Sequence, residues 1–441
     1  MSWLGSSCRR PFGALVLSAL AALAAAGCFG SGDRPDRVPT TPIPAALDLS
    51  VTYQRIDGFG ASSAWTANNI SDTLADLFFS PTTGIGLSLL RVQIKPTGIT
   101  SELQTAKKAV ARGAKVWAAP WSPPAEWKDN GSTIRGSLLD EHRADWANRL
   151  ATFATTMAAE GVPLLALSAQ NEPNYTDNWD TCFYTPDQFA TFVRDFLGPA
   201  LAAQGQAVPI MAPETQGWDR FAGYADPLLA DPGTVALMGP LATHYYNGKP
   251  FDYEPARAAG KVIWQTEISD DKGSNKPFDD TIDSGLSVAA MIHDNLVLGN
   301  VSAWHYWWLV PGSGTGNGGL IQAGGATLLP RAWVLGNWSR FVRPGFVRVA
   351  IPPTPQRYVF VTAFAELATG RFVIVAINQG YGDLAQDFTI AGGVATEVTP
   401  WVTSASQQLA AQATVPITDG AFTATLPARS VTTFVGASVT P

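Results

Sequence analysis

Between residue 56 and about residue 340, short apolar runs alternate with longer amphipathic stretches. The runs are GLSLLRVQI (86–94), KVWAAPWS (115–122), LLALSAQNEP (164–173), PIMAPE (209–214), LATHYY (241–246), KVIWQTEIS (261–269) and VSAWHYWW (301–308). Runs this short and this continuously apolar suit strands buried on both faces. IDGFGASSAW (56–65) supplies a first strand, which makes eight. In the stretches between them, ADWANRLATFATTMAAEG (144–161) places Trp146, Leu150, Phe153 and Met157 at helical spacing and stops at Gly161. TPDQFATFVRDFLGPALAAQG (185–205) opens with Thr185 as a cap and Pro186 in the first turn. Repeated strand–helix alternation predicts an α/β fold, a parallel sheet closed as a (β/α)8 TIM barrel over residues 47–346.

The pattern changes at residue 347. RYVFVTAF (357–364), RFVIVAIN (371–378), QDFTI (386–390), FTATL (422–426) and SVTTFVG (430–436) are short, rich in β-branched residues and separated by Gly, Pro and Asp turns. No helix-length periodicity interrupts them, so residues 347–441 read as an all-β sandwich side domain. LDLSVTYQRI (47–56) alternates like a strand and is expected to pair with that domain. The glycine-rich GSGTGNGG (312–319) lacks the Lys-Ser/Thr of a phosphate loop and reads as a flexible loop after strand eight.

The N-terminus carries an export pattern. Arg9 and Arg10 precede a Leu/Ala/Val run too short for a membrane span, and small residues follow up to Cys28. Residues 1–27 are therefore expected to be a signal peptide. Ala25-Ala26-Gly27-Cys28 is similar to a bacterial lipobox, which makes Cys28 the expected lipid site; ordinary cleavage is the alternative. Arg9-Arg10-Pro11-Phe12 has a weak twin-arginine character. The Gly-, Ser- and Pro-rich residues 28–46 form a linker. The expectation is an exported lipoprotein on the bacterial outer membrane or cell surface, otherwise a secreted protein. It would meet the membrane only through its lipid and act as a monomer.

Composition narrows the chemistry. The 441 residues are 46% hydrophobic and 15% charged, enough to bury a large core, with a formal net charge of −7. No basic patch follows the first ten residues, so no nucleic-acid partner is expected. Three cysteines (Cys8, Cys28, Cys182) exclude a disulfide framework and a Cys-based zinc site, and Cys182 reads as a partly buried bystander. The four histidines (His142, His244, His293, His305) lack metal-ligand spacing, so no metal and no cofactor are expected. The fifteen Trp suit either a surface that stacks on sugar rings or a large aromatic core.

Polar residues gather at the C-terminal ends of the apolar runs: Asn171-Glu172, Glu214, His244, Tyr246 and Glu267. In a barrel that end is the catalytic face. Glu172 ends strand four and Glu267 ends strand seven. An acid at the end of a buried strand is costly unless it faces a polar cleft. Two such acids across a ligand are what glycosidic cleavage needs: one protonates the leaving oxygen, and the other attacks or activates water. The alternative is a pair of surface-loop acids.

With these residues the chain resembles glycoside hydrolase family 30. The resemblance rests on IDGFG (56–60), LLRVQI (89–94), APWSPPAEWK (119–128), SAQNEPNY (168–175), IMAPE (210–214), THYYNG (243–248), TEIS (266–269), YWW (306–308), RFVRPG (340–345) and LPARSVTTFV (426–435). Within the family the glucuronoxylanase-type bacterial enzymes are most similar. The resemblance implies Glu172 as general acid/base and Glu267 as nucleophile. It implies that Arg91 holds Glu267 ionised, that Asn171 binds the 2-hydroxyl of the sugar, and that His244 and Tyr246 border the nucleophile. Trp65, Trp121 and Trp307 become cleft walls. One departure stands out: Leu309-Val310-Pro311-Gly312 follows Trp308, and no Arg or Lys appears until Arg331. The arginine fork that grips a glucuronate carboxylate is missing there, unless Arg331 or Lys249 replaces it. The reading is a retaining endo-β-1,4-xylanase acting on a xylan-like polysaccharide with relaxed dependence on glucuronate branches. A β-1,6-glucanase, β-1,6-galactanase or exo-acting β-glycosidase is the alternative within the family. A non-catalytic polysaccharide-binding surface lipoprotein is the alternative outside it.

Overall fold

The computed structural model describes residues 39, 41–271, 276–312, 316–391 and 395–436. The expected signal peptide, Cys28 and the linker up to residue 38 lie outside the described residues, as do residues 313–315 of the glycine-rich loop. Among the described residues no helix is long and apolar enough to cross a membrane.

After a leading strand β1 (Ala45–Arg55) come eight parallel strands: β2 (Gly58–Ser62), β3 (Leu89–Ile94), β4 (Lys115–Pro120), β5 (Leu164–Ser168), β6 (Ile210–Met211), β7 (Leu241–Thr243), β8 (Ile263–Gln265) and β9 (Ala303–Trp308). Their order runs β6-β5-β4-β3-β2-β9-β8-β7. The ends meet through single backbone bonds: Gly239 N–H to Ile210 O (2.9 Å), Glu214 N–H to Ala242 O (2.8 Å) and His244 N–H to Thr215 O (2.7 Å). This is the TIM barrel the alternation predicts. Because all strands are parallel, every C-terminal end reaches one rim.

The lumen is packed. Trp117 and Trp264 fill it opposite small Ala119, Ala166, Ala242 and Ala303, since a large ring needs small partners at close-packed density. His305 lies between them. Its Nδ1–H donates to Gln265 O (3.0 Å), which leaves Nε2 to accept the Trp117 indole N–H (3.0 Å). Burial pushes the imidazole down to about 3, so this histidine is neutral.

The helix expected over 144–161 spans Arg143–Ala159 and buries Trp146, Leu150, Phe153 and Met157. The stretch 185–205 starts as expected, with Thr185 and Gln188 forming a capping box, but it is not one regular helix. A wide π turn over Phe192–Leu197 separates Pro186–Thr191 from Gly198–Ala203. Pro199, one residue into the last segment, offers no N–H to the ladder and crowds the preceding turn.

The side domain contains β10 (Val347–Ala350), β11 (Val359–Glu366), β12 (Arg371–Asn378), β13 (Leu384–Ile390), β14 (Glu397–Thr403), β15 (Ala410–Ala411), β16 (Val415–Pro416), β17 (Ala421–Leu426) and β18 (Ser430–Gly436). Strand β1 joins its two halves. Ala45–Leu47 run parallel to Phe388–Ile390, and the rest of β1 pairs antiparallel with β10. The halves face each other through Phe388, Phe422 and Phe434, whose ring centroids lie 4.8–5.4 Å apart. The linker ends sooner than residue 46: Ile43 N–H donates to Pro355 O (3.0 Å), and the strand begins at Ala45. Strand β14 escapes sequence reading because Pro400 sits at its centre. Proline is accommodated because the partner on one side is split: β16 pairs with residues 397 and 398, β15 with 401 and 402.

Asn337, in the helix Pro330–Ser339, fastens the barrel to this domain. Its Nδ2 donates to Thr433 Oγ1 (2.9 Å), Val431 O (3.3 Å) and Trp401 O (3.3 Å). Asn337→Ala leaves these buried acceptors without that donor, and we expect a loss of about 1–3 kcal/mol in urea unfolding. A change below about 0.5 kcal/mol would show that the junction rests on apolar packing alone.

Candidate active site

Arg91 organises the rim. It is fully buried near the end of β3, so its charge must be matched on the spot. Nη1 donates to Glu267 Oε2; Nη2 donates to Asn171 Oδ1 and to Glu214 Oε1, the last at 2.8 Å. The guanidinium also lies over the rings of Trp121 (4.4 Å), Trp117 (5.2 Å) and Trp307 (5.6 Å). Burial opposes its charge, but Glu214 and Glu267 outweigh burial and raise its proton affinity. A guanidinium only donates, so it fixes the Asn171 amide with its oxygen inward and leaves the amide N–H groups as donors for other partners.

Glu172 follows β5 in a left-handed conformation (φ 49°) and is 5% exposed. Its carboxyl meets His244 Nδ1 at 3.0 Å. Burial raises its proton affinity, and the His244 contact only partly offsets this. Glu267 follows β8 and is 6% exposed. Tyr246 O–H donates to its Oε1 (2.9 Å), opposite the oxygen that Arg91 holds. Burial, with Glu267 and Glu172 nearby, pushes the Tyr246 phenol well up, so it remains a donor. Glu214, after β6, is fully buried and accepts from Ser168 Oγ as well as from Arg91.

His244 lies among all three acids. Its Nε2 is 3.5 Å from Glu214 and 3.8 Å from Glu267. Burial alone would depress the imidazole, but Glu267, Glu172 and Glu214 together raise it to about 9. Oxygens of Glu172 and Glu267 and a nitrogen of His244 lie within 4.8 Å of one another. That spacing could bracket a metal ion, yet the donor set does not suit one. A protonated imidazole has no free lone pair, and Arg91 already brings a cation to Glu267.

Both acids open into a cleft of about 1050 Å³. One wall is aromatic: the ring centroids of Trp65, Trp121 and Trp307 are 4.9–6.0 Å apart, and Trp308 stacks on Trp307 at 4.7 Å. Two hydrogen bonds hold this wall in place, Leu309 N–H to Ser62 O (2.8 Å) and the Thr66 hydroxyl to Val310 O. Tyr175 and Trp179, in the loop that continues from Glu172, line another part. The Trp surplus is thus divided between the cleft wall and the core, where Trp117, Trp146, Trp218, Trp304 and Trp338 are fully buried.

The structure brings together Trp65, Arg91, Trp121, Asn171, Glu172, His244, Tyr246, Glu267 and Trp307. Sequence reasoning did not give Glu214 a place in the site, although its strand-end position signals one. It also missed Tyr175 and Trp179, which pack on each other, and Trp308, which stacks on Trp307. Lys276 is the only cation among the described residues lining the cleft, and its Nζ is 3.3 Å from Asp270. Arg331 cannot serve as a replacement fork. It is buried and donates to Ser284, Gly319, Asp279 and Asn317. Lys249 is exposed but does not line the cleft. Cys182 is fully rather than partly buried, and burial pushes its thiol up to about 11.

Comparison with known proteins gives consistent matches. The family model for the glycosyl hydrolase family 30 TIM-barrel domain matches residues 99–317. Glucuronoxylanase XynC of Bacillus subtilis (strain 168) is 33% identical over 411 residues, covering 90% of this chain and 93% of that protein. The crystal structure of the glycoside hydrolase family 30 subfamily 8 xylanase Xyn30A from Clostridium acetobutylicum is 34% identical. It superposes with a TM-score of 0.81 over 90% of this chain and 100% of that one. Lysosomal acid glucosylceramidase of Mus musculus is more distant, 24% identical over 314 residues, 64% of this chain and 60% of that protein.

The state of His244 is directly measurable. Its affinity is raised from 6.5 to about 9 on folding, so the stability it contributes is fully present below pH 6.5 and is lost as pH rises through about 9. The full effect is on the order of 3 kcal/mol. Ring-nitrogen NMR should find both nitrogens protonated at neutral pH. A His244→Gln variant should lose the stability decline between pH 6.5 and 9. A ring that titrates at or below its ordinary value would contradict the assignment.

Proposed function

The chain belongs to glycosyl hydrolase family 30, and on that premise we propose that it cleaves β-1,4-xylan as a retaining endo-xylanase. The observation that carries this reading is the short separation of Glu172 and Glu267, whose nearest oxygens lie within 4.8 Å beside an aromatic cleft. Double displacement uses carboxyl groups about 5–5.5 Å apart, whereas inversion needs roughly 6.5–9.5 Å to admit a water.

In this mechanism Glu172, kept protonated by burial, gives its proton to the leaving glycosidic oxygen. Glu267 attacks the anomeric carbon. Arg91 and Tyr246 each hold one of its oxygens, which fixes the carboxylate for attack. The Glu172 carboxylate left behind is stabilised by the His244 N–H. It then takes a proton from water, which attacks the glycosyl-enzyme and releases the sugar. Asn171, oriented by Arg91, offers its amide to the 2-hydroxyl. Trp65, Trp121 and Trp307 stack on the sugar rings.

The similarity to XynC and Xyn30A supports xylan as the substrate. The loop after Trp308 supports relaxed dependence on glucuronate: Leu309 is buried, and Pro311 and Gly312 face the cleft without a charge. Lys276 is tied to Asp270, with Asp271 and Asp177 also at the cleft. We further propose, from the N-terminal pattern, that the enzyme is exported, lipidated at Cys28 and acts as a monomer at the cell surface. Labelling with a fatty-acid analogue, lost in Cys28→Ser, tests the anchor.

Two experiments test the chemistry. Glu172→Gln should abolish turnover of xylan, and azide should restore cleavage of an activated aryl xyloside; no restoration would remove Glu172 from the acid/base role. A carboxylate gripped by a bidentate arginine gains about 1.5–3 kcal/mol, roughly a ten- to hundredfold preference. With no such arginine in the cleft, kcat/KM on glucuronoxylan and on linear xylan should agree within about threefold. A preference above about thirtyfold for the branched polymer would mean that another group binds the branch. Reducing sugar released from β-1,6-glucan but not from xylan would overturn the substrate assignment.

A further inference from the structure

The site holds a third carboxylate that no substrate can reach. Glu214 is fully buried, and two of its three side-chain partners, Arg91 and His244, also hold Glu267 and Glu172. Arg91 donates to its Oε1 at 2.8 Å and also holds Glu267. His244 approaches the same oxygen at 3.5 Å and also holds Glu172. Ser168, at the end of the strand that precedes Glu172, donates to Oε2. The backbone repeats the connection. Glu214 C=O accepts the Glu172 N–H at 3.0 Å, and both residues are left-handed, at φ 57° and 49°. Non-glycine residues pay for that conformation, so it persists only where surrounding contacts dictate it.

The charge arrangement has a direct consequence. The charged and titratable groups around Glu214 are Arg91 on β3, Glu172 after β5, His244 after β7 and Glu267 after β8; His305 on β9 is neutral. With Arg91 and His244 charged and Glu214 and Glu267 ionised, the cluster is neutral only while Glu172 keeps its proton. Removing the charge of Glu214 leaves the two cations in excess, which favours the ionised form of both remaining acids. Burial raises the proton affinity of Glu214, but Arg91, His244 and Ser168 outweigh burial and keep it ionised.

We propose that Glu214 is a positioning residue that sets the working pH of the Glu172–Glu267 pair and fixes the backbone carrying Glu172. This rests on the reading of those two residues as acid/base and nucleophile. The test is the pH profile of kcat/KM on linear xylo-oligosaccharides for Glu214→Gln, which keeps the shape and removes the charge. Both limbs should move to lower pH, by about one unit or more, with kcat reduced and KM little changed. Glu214→Asp, which keeps the charge and shortens the arm, should lower kcat while leaving the limbs in place. A Gln variant that is slower but has an unmoved bell would overturn the proposal. If the Gln variant does not fold, the Asp variant decides: a displaced bell or an unchanged kcat overturns it. Azide rescue of Glu172→Gln separates the two readings. Rescue with an unmoved bell in Glu214→Gln defeats only the role of Glu214, whereas absence of rescue defeats the acid/base assignment beneath it.

Discussion

A buried guanidinium is the constraint around which the molecule is arranged. Arg91 has no access to water, and removing such a charge from water costs several kcal/mol unless partners replace the lost hydration. The replacements come from three separate strand ends, Asn171, Glu214 and Glu267. They are far apart in sequence and meet because a closed parallel barrel sends every strand to one rim. Remove the closure between β6 and β7 and Glu214 no longer has a fixed place beside Arg91. The alternation of Trp and Ala in the lumen belongs to the same arrangement. Trp117 supports the guanidinium from below while its indole N–H is satisfied by a neutral His305.

The same cation separates the behaviour of chemically identical acids. Glu172 touches a histidine, and burial raises its proton affinity, whereas Glu267 and Glu214 touch the arginine itself. In the proposed reaction, contact with Arg91 is what distinguishes the nucleophile from the proton donor. His244 contributes to both sides, since the acids around it raise its proton affinity against burial. Neither the arginine nor the histidine needs to touch the sugar to govern the reaction.

Much of this was legible in the sequence. Strand–helix alternation gave the barrel, and polar residues at strand ends gave Glu172, His244, Tyr246 and Glu267. What escaped did so for physical reasons. A proline in β14 normally marks the end of a strand; here it fits because the neighbouring strand is split at that point. The stretch 185–205 reads as one helix from its cap and periodicity, yet it opens into a π turn over Phe192–Leu197 just before Pro199. Glu214 stood at a strand end like the others, but nothing local reveals that it faces inward to two cations instead of outward to substrate. That depends on which strands are neighbours, and β6 and β7 are joined only by isolated backbone bonds.

Burial also divides chemistry from recognition. The two acids assigned to the proposed bond cleavage, Glu172 and Glu267, are at most 6% exposed and follow barrel strands, so their geometry is part of the core. The groups expected to choose among polysaccharides lie on loops: Trp179 is 44% exposed, and the Lys276 side chain is 46% exposed. A substitution at Trp179 or Lys276 can alter which branches fit without removing a hydrogen bond of Arg91, whose partners are Asn171, Glu214 and Glu267. A substitution in the buried cluster has the opposite effect, since each member neutralises another. The uncharged Leu309-Val310-Pro311 segment after Trp308 falls on the loop side of this division. The cleavage machinery can therefore be complete while recognition of an acidic branch is lost.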